Sequence, residues 1–262
     1  MPPKRKAKSD STTKTTTTPP KRARNATNKT TKTVPKQVYH STHVSHRKCR
    51  VANSFCFFYS YRAPPKFSIK TCEKWYQKYK DTDDPDENIT PEGAQQFFED
   101  LGVSLESVYP ILIGWKMKAD RMGFFTKKEW MNAMTTLQVD SPERLKAYLL
   151  SWSKCIENDN EFKAMYLYTF NFAKTAGQKS MDVDLALALW ALLFGSKYQH
   201  IPSFIEFVQE TKPVKVINKD QWSSLLDFAR TVPYDLAGYD STTSWPVLFD
   251  DYATWRSKKA VE

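Results

Sequence analysis

Residues 118 to 129, Lys-Ala-Asp-Arg-Met-Gly-Phe-Phe-Thr-Lys-Lys-Glu, carry the skeleton of a calcium-binding loop. Gly123 stands at position six, where such a loop turns sharply, Phe125 at position eight and Glu129 at position twelve. Calcium takes six to eight oxygen ligands, and here position one is Lys118 and position five is Met122, which leaves only the carboxylates of Asp120 and Glu129. The acidic stretch 81–92 is richer in oxygen. Aligning its Ile89 with position eight, however, puts Glu87 at the glycine position and Gly93 at the glutamate position. Helix-loop-helix geometry without the ion is the reading that fits both loops. A second metal candidate is the series His40, His43, His46 and Cys49, whose three-residue spacing aligns them on one helical face and suits zinc. It has no second convergent pair, so neither a metal nor any other cofactor is expected.

Covalent catalysis finds little support. There is no G-x-S-x-G turn, no Walker loop and no G-x-G-x-x-G, and His200 is the only histidine beyond residue 46. Cys155 falls on or beside an amphipathic helix face, where a structural thiol is the default. A different chemistry stands out toward the C-terminus. Asn218-Lys-Asp-Gln-Trp-Ser-Ser-Leu-Leu-Asp-Phe and Asp240-Ser-Thr-Thr-Ser-Trp-Pro-Val-Leu-Phe-Asp-Asp set acids beside tryptophans at the starts of helices. Asp220 falls in a first turn, where a helix dipole welcomes it for structural reasons alone. Asp250 and Asp251 lie about one turn into a helix begun by Pro246, flanked by Phe249 and Tyr252. An acidic pair beside exposed aromatics suits a basic partner.

The elements that must position these groups are helical. Ser68 precedes a face of Cys72, Trp75, Tyr76 and Tyr79, and Thr90-Pro91-Glu92 opens a segment closed by Gly102. Thr126 with Glu129 and Asn218 with Gln221 form capping boxes, and Ser141-Pro142-Glu143 puts proline at a first helical position. Leu145, Tyr148, Leu149, Trp152 and Ile156 lie on one stripe, as do Phe162, Met165, Tyr166, Thr169, Phe172 and Ala173. Asp182 to Phe194 is apolar nearly all round and ends at Gly195, which predicts a central buried helix. Strand-like alternation is confined to short stretches such as 214–217. The expected class is all-α, a helical bundle in one domain of 66–256 built as two packed halves, with 51–65 as linker and 257–262 as C-terminal tail.

Of the 262 residues, 40% are hydrophobic and 14% aromatic, ample for a packed core. The net charge of +10 is unevenly spread: residues 1–50 hold fourteen Lys or Arg against the single acid Asp10, and the remainder is mildly acidic. That N-terminal segment has no glycine and few large apolar residues, and reads as a disordered basic tail. Its clusters Lys4, Arg5, Lys6, Lys8 and Lys21, Arg22, Arg24 each follow a Pro-Pro pair and resemble a nuclear-localisation signal, the alternative being a tail that attracts phosphate weakly. The cysteines form no C-x-x-C pair, and no apolar run is long enough to span a bilayer, so a reducing, non-membrane setting is expected in the nucleus and possibly the cytoplasm.

The two C-terminal runs, together with Gly123-Phe-Phe-Thr-Lys-Lys-Glu-Trp130 and Tyr168-Thr-Phe-Asn-Phe-Ala-Lys174, resemble the defective-in-cullin-neddylation (DCN-like) proteins over residues 66–256. The resemblance implies an all-helical potentiating-neddylation domain with EF-hand-like units, acting as a scaffold-type ligase with no catalytic residues. Such a protein binds the winged-helix end of a cullin and the N-acetylated neddylation conjugating enzyme, within cullin-RING ligase assemblies. The cullin contact, carried over position by position, would be Asp220, Ser244 and Asp250, with Ser244 standing where the family has alanine. The pocket for the acetyl-methionine would be lined by Ala94, Leu105, Pro110, Ile113, Gly114, Met117, Ala119, Met122, Gly123, Phe125, Phe172 and Leu192, residues equally suited to a core. Of these, Pro110 falls inside a helical run and is expected to kink it. Two other readings of the chain are a calcium-responsive EF-hand adaptor and a chromatin-associated helical protein whose tail binds DNA.

Overall fold

A computed structural model of the chain describes residues 66–259. The His40, His43, His46, Cys49 series and both basic clusters lie outside the described residues. The N-terminal half contains α1 (Ile69–Gln77), α2 (Pro91–Asp100), α3 (Tyr109–Met117), α4 (Lys127–Leu137) and α5 (Pro142–Ser153), followed by a 3₁₀ turn at Lys154–Glu157. The C-terminal half contains α6 (Asp159–Ala173), β1 (Ser180–Asp182), α7 (Val183–Phe194), α8 (His200–Thr211), β2 (Val216–Asn218), α9 (Lys219–Thr231) and α10 (Val247–Lys259). The fold is all-α apart from the antiparallel pair β1–β2, in which Met181 faces Ile217 and both are buried.

The helix starts follow local chemistry. The Ser68 and Ser141 side chains accept the Thr71 and Arg144 amides at α1 and α5. Complete capping boxes, Thr126 with Glu129 and Asn218 with Gln221, open α4 and α9. Pro110 departs from its expected place: it sits in the first turn of α3, where a missing N–H costs no hydrogen bond, rather than inside the helix.

Two hydrophobic cores share α3 and α6 as their common wall. Ile111 and Leu112 face the C-terminal core while Ile113 and Met117 face the N-terminal one, and Phe172 on α6 joins the latter whereas Phe170 joins the former. In the N-terminal core Trp130 is surrounded by Trp75, Tyr76, Tyr79 and Phe97, with ring centroids 4.7 to 6.2 Å away. Edge and tilted contacts of this kind add to the area each ring buries. Burial pushes the Cys72 thiol up to about 11, so it is a protonated core residue rather than a nucleophile.

The C-terminal core fixes α9 and α10. The Tyr166 hydroxyl donates to the Trp222 carbonyl at 2.6 Å and accepts from Trp190 Nε1 at 3.1 Å, and Trp222 Nε1 donates to the Tyr166 carbonyl at 3.0 Å. All these groups are buried, so each hydrogen bond replaces one that water would otherwise supply. His200 does the equivalent for α10. Its Nε2 lies 3.0 and 3.2 Å from the carbonyls of Val232 and Pro233, which can only accept, so Nε2 carries the proton and Nδ1 accepts from Tyr252 Oη at 3.0 Å. Burial holds its pKa below the usual histidine value, consistent with that neutral tautomer.

Two details differ from the sequence expectation. The helix α7 is not buried all round: Ala188 and Ala191 are exposed, because small alanines on one face leave that side open while Leu189, Trp190 and Leu193 pack inward. In addition, α10 continues through Lys259, past residue 256, where Lys259 Nζ meets Glu206 at 2.6 Å and Glu210 at 3.4 Å on α8.

Candidate functional site

The loop between α3 and α4 and the loop between α1 and α2 meet at one antiparallel bridge, Ile89 to Phe125. The two residues exchange both backbone hydrogen bonds, at 2.9 and 3.0 Å. The position-six residues Glu87 and Gly123 both have left-handed backbones, with φ of 52° and 78°. Side-chain hydrogen bonds hold both loops. Glu129 Oε1 accepts the Asp120 amide at 2.9 Å, and Oε2 accepts the Thr126 amide and hydroxyl, each at 2.8 Å. In the upstream loop Asp84 is engaged by the amide and side chain of Asn88. At position twelve of that loop a side chain on Gly93 would lie 2.0 Å from the Tyr79 carbonyl oxygen, so no glutamate ligand fits. Among the described residues no group of three or more His, Cys, Asp or Glu is placed to hold a metal ion.

The residues implied as an acetyl-methionine pocket fall into two sets. Ala94, Ile113, Met117, Ala119, Phe125 and Phe172 are together in the N-terminal core, each no more than 3% exposed. Gly114 joins them because the Phe172 ring lies so close that an added Cβ would be 2.5 Å from its Cζ. Half-buried Met122 donates its amide to the Phe172 carbonyl at 2.8 Å, and Gly123 packs beside Pro91. The Tyr168 hydroxyl donates to the Ala119 carbonyl at 2.6 Å, and its ring stacks on Phe172 with centroids 5.1 Å apart. The remaining three residues are not part of that buried cluster. Pro110 is half-buried at the start of α3, Leu105 stands 52% exposed on the preceding turn, and Leu192 packs against the C-terminal core.

The acidic C-terminal run forms an open site. A cleft of about 760 Å³ lies between α10 and the turn that leads to it, with Leu236, Tyr239, Ser241, Asp250, Ala253 and Lys258 in its lining. Asp250, in the first turn of α10, is half-buried, and its Oδ1 accepts the Tyr239 hydroxyl at 2.6 Å. Burial, and then Asp250 itself, raise the Tyr239 pKa above its ordinary value, which keeps the phenol a donor. Asp240 closes the approach to α10 by accepting the Thr242 amide and hydroxyl at 2.8 and 2.7 Å, which hold its carboxyl below the usual range. Ser244 is exposed on that loop, so its hydroxyl is hydrated rather than buried. Asp220 is exposed at the start of α9 and does not line the cleft.

One sequence expectation is corrected here. Phe249 and Tyr252, read as exposed aromatics beside the acids, are fully buried. A helix turns by 100° per residue, so neighbours on either side of an exposed acid can both point inward. Here Phe249 packs on Phe204 and Phe228, and Tyr252 is bonded to His200. Neither ring is therefore among the residues that line the cleft. Tyr239 and Leu236 were missed as site residues. Their only signal in the sequence is a Gly-Tyr-Asp turn some ten residues before the acidic pair, which does not say where the phenol points.

This arrangement of helices, with Asp250 at an open cleft, coincides with a class defined by what it binds: residues 144–255 match the family model described as cullin binding. Human DCN1-like protein 4 is 40% identical over 193 residues, covering 74% of this chain and 65% of the relative. DCN1-like protein 5 of Rattus norvegicus is 37% identical over 218 residues, covering 80% and 88%, and DCN1-like protein 4 of Drosophila melanogaster is 38% identical over 189 residues, covering 72% and 75%. The chain belongs to the DCN1-like family, a cullin-binding, neddylation-related family. Asp220, Ser244 and Asp250 all fall within the cullin-binding match, whereas Ala94 to Phe125 precede it.

Proposed function

We propose that this protein is a non-catalytic scaffold for cullin neddylation. It holds the winged-helix end of a cullin at the α9–α10 surface and the N-acetylated terminus of the conjugating enzyme at the N-terminal core. Holding both raises their effective concentration and orients the charged thioester toward the cullin lysine, with no covalent intermediate on the scaffold itself. The observation that carries this reading is Asp250, a carboxylate held by Tyr239 at the edge of an open cleft within the cullin-binding match. In a reconstituted reaction containing conjugating enzyme, modifier and cullin, the full chain is expected to raise the rate of cullin modification at least about tenfold, a modest use of effective concentration. No acceleration at any concentration of the protein across a titration would end the scaffold reading.

Acetylation matters in this scheme because it removes the ammonium charge, and an apolar core admits a neutral group far more readily than an uncompensated cation. Entry of a methionine also requires the stacked Phe172 and Tyr168 rings to shift, since the residues around Gly114 are buried. Peptides of the conjugating enzyme's N-terminus should therefore bind at least about 100-fold more tightly when acetylated. Equal affinity of the acetylated and free peptides in fluorescence anisotropy would remove the pocket. We assign the basic segment before residue 50 to nuclear import and place the protein's work in the nucleus, with cullin-RING ligases as its setting.

A further inference from the structure

We infer that Tyr239 is a positioning residue for partner binding that acts through Asp250. This rests on the docking role proposed for Asp250. A free aspartate side chain rotates about two bonds, and ordering it when the partner arrives costs affinity. Here the ordering is already done: the Tyr239 hydroxyl holds Oδ1 at 2.6 Å, which fixes the direction in which Oδ2 is offered. The carboxylate is thereby aimed before any cation approaches.

The phenol can do this because the turn carrying it is held at several points. His200 binds the Val232 and Pro233 carbonyls at its start. Arg256 of α10 donates to the Tyr234 carbonyl at 3.2 Å, with its guanidinium 3.6 Å from the Tyr234 ring centroid. The Leu236 amide donates to the Pro233 carbonyl at 2.9 Å and the Tyr239 amide to the Leu236 carbonyl at 3.0 Å. The Tyr239 ring lies edge-on to Phe228 at 5.7 Å. Leu236 adopts φ of 61°, a left-handed conformation that a large side chain takes only when its surroundings impose it. Strain of that kind, in a residue lining the same cleft as Asp250, fits a turn shaped to present the hydroxyl rather than one that merely connects α9 to α10.

The test is a double-mutant cycle on the full chain with a cullin winged-helix domain as probe, read by calorimetry alongside thermal unfolding. Tyr239→Phe keeps the ring against Phe228 and removes only the hydroxyl. It is expected to weaken binding about three- to tenfold, the scale of ordering one side chain, with a fall of only about 2–4 °C in melting temperature from the lost hydrogen bond. In an Asp250→Asn background the same substitution should have no further effect, because the group it orients no longer carries the charge. Independent, additive losses would mean that Tyr239 touches the partner directly, and wild-type affinity for Tyr239→Phe beside a weakened Asp250→Asn would mean that no positioning occurs. Either result overturns the inference. Wild-type affinity for Asp250→Asn would instead overturn the docking role of Asp250 on which the inference rests.

Discussion

Asp250→Lys is expected to lower affinity for the cullin winged-helix domain by at least about 100-fold while leaving the protein folded. Truncating one partner of a desolvated ion pair at an interface costs about 2–5 kcal/mol, and reversing the charge adds repulsion to that loss. The cost to the fold is much smaller. Asp250 is only half-buried and faces the cleft, so lysine displaces no core atom. What the fold loses is the Tyr239 hydrogen bond and an acid near the positive end of α10, about 1–2 kcal/mol together. For a domain of this size that is a fall of several degrees in melting temperature. Calorimetry and thermal unfolding on the same samples separate the two effects. Unchanged affinity in a folded variant would count directly against the cullin site at this cleft, and a collapse in melting temperature would show that Asp250 belongs to the fold first.

Gly93→Ala carries the largest expected effect on stability. The methyl group would sit 2.0 Å from the Tyr79 carbonyl oxygen and 3.1 Å from its carbon. The carbonyl cannot yield cheaply. The Tyr79 amide is bonded to the Tyr76 carbonyl at 3.0 Å, and its hydroxyl accepts from Trp75 Nε1 at 3.1 Å and donates to Asp100 at 2.5 Å. Relief requires α1 and α2 to separate across the Trp75–Phe97–Trp130 cluster, which is the centre of the N-terminal core. A backbone-to-backbone clash of this sort is expected to cost about 3 kcal/mol or more, beyond ordinary overpacking, and to lower the melting temperature by about 6–12 °C. Gly177→Ala supplies the control: Gly177 has φ of 78° and open space around it, so its substitution costs only the left-handed backbone penalty, about 1–2 kcal/mol. If Gly93→Ala destabilises no more than this control, the close approach of the two chains is not as described. The same contact explains why a glutamate ligand cannot be supplied at residue 93.

The parts of the fold that were legible in the sequence are those whose cause is local. Thr126 and Glu129, or Asn218 and Gln221, satisfy each other's backbone within three residues, so a capping box written in the chain is a capping box in the structure. The residues of the stripe from Phe162 to Ala173 are likewise all buried, because apolar spacing at the helical period marks them for the interior, although Phe170 joins them and Phe172 packs in the other core. Burial itself was less legible where the pattern was weak. Nothing in the run from Val247 to Asp251 says that Phe249 turns inward, and nothing in Val183 to Phe194 says that Ala188 and Ala191 face out. Those outcomes depend on which neighbours α7 and α10 meet, and α10 meets α8, far away in the chain.

The candidate site divides the same way. That the C-terminal run carries acids at the starts of helices was determined by residue type alone, and so was the lack of calcium ligands at Lys118 and Met122. Only the tertiary structure decided how these groups are used. It bridged Ile89 to Phe125, gave Glu129 three backbone and hydroxyl donors, and left Leu105 exposed while burying Phe172. It also brought the Tyr239 hydroxyl to Asp250 across a turn whose shape is set by His200, Leu236 and Arg256. The reason is physical. Capping and periodicity are energies of neighbours along the chain, whereas the aim of a carboxylate is an energy of neighbours in space, and those are chosen only when the helices pack.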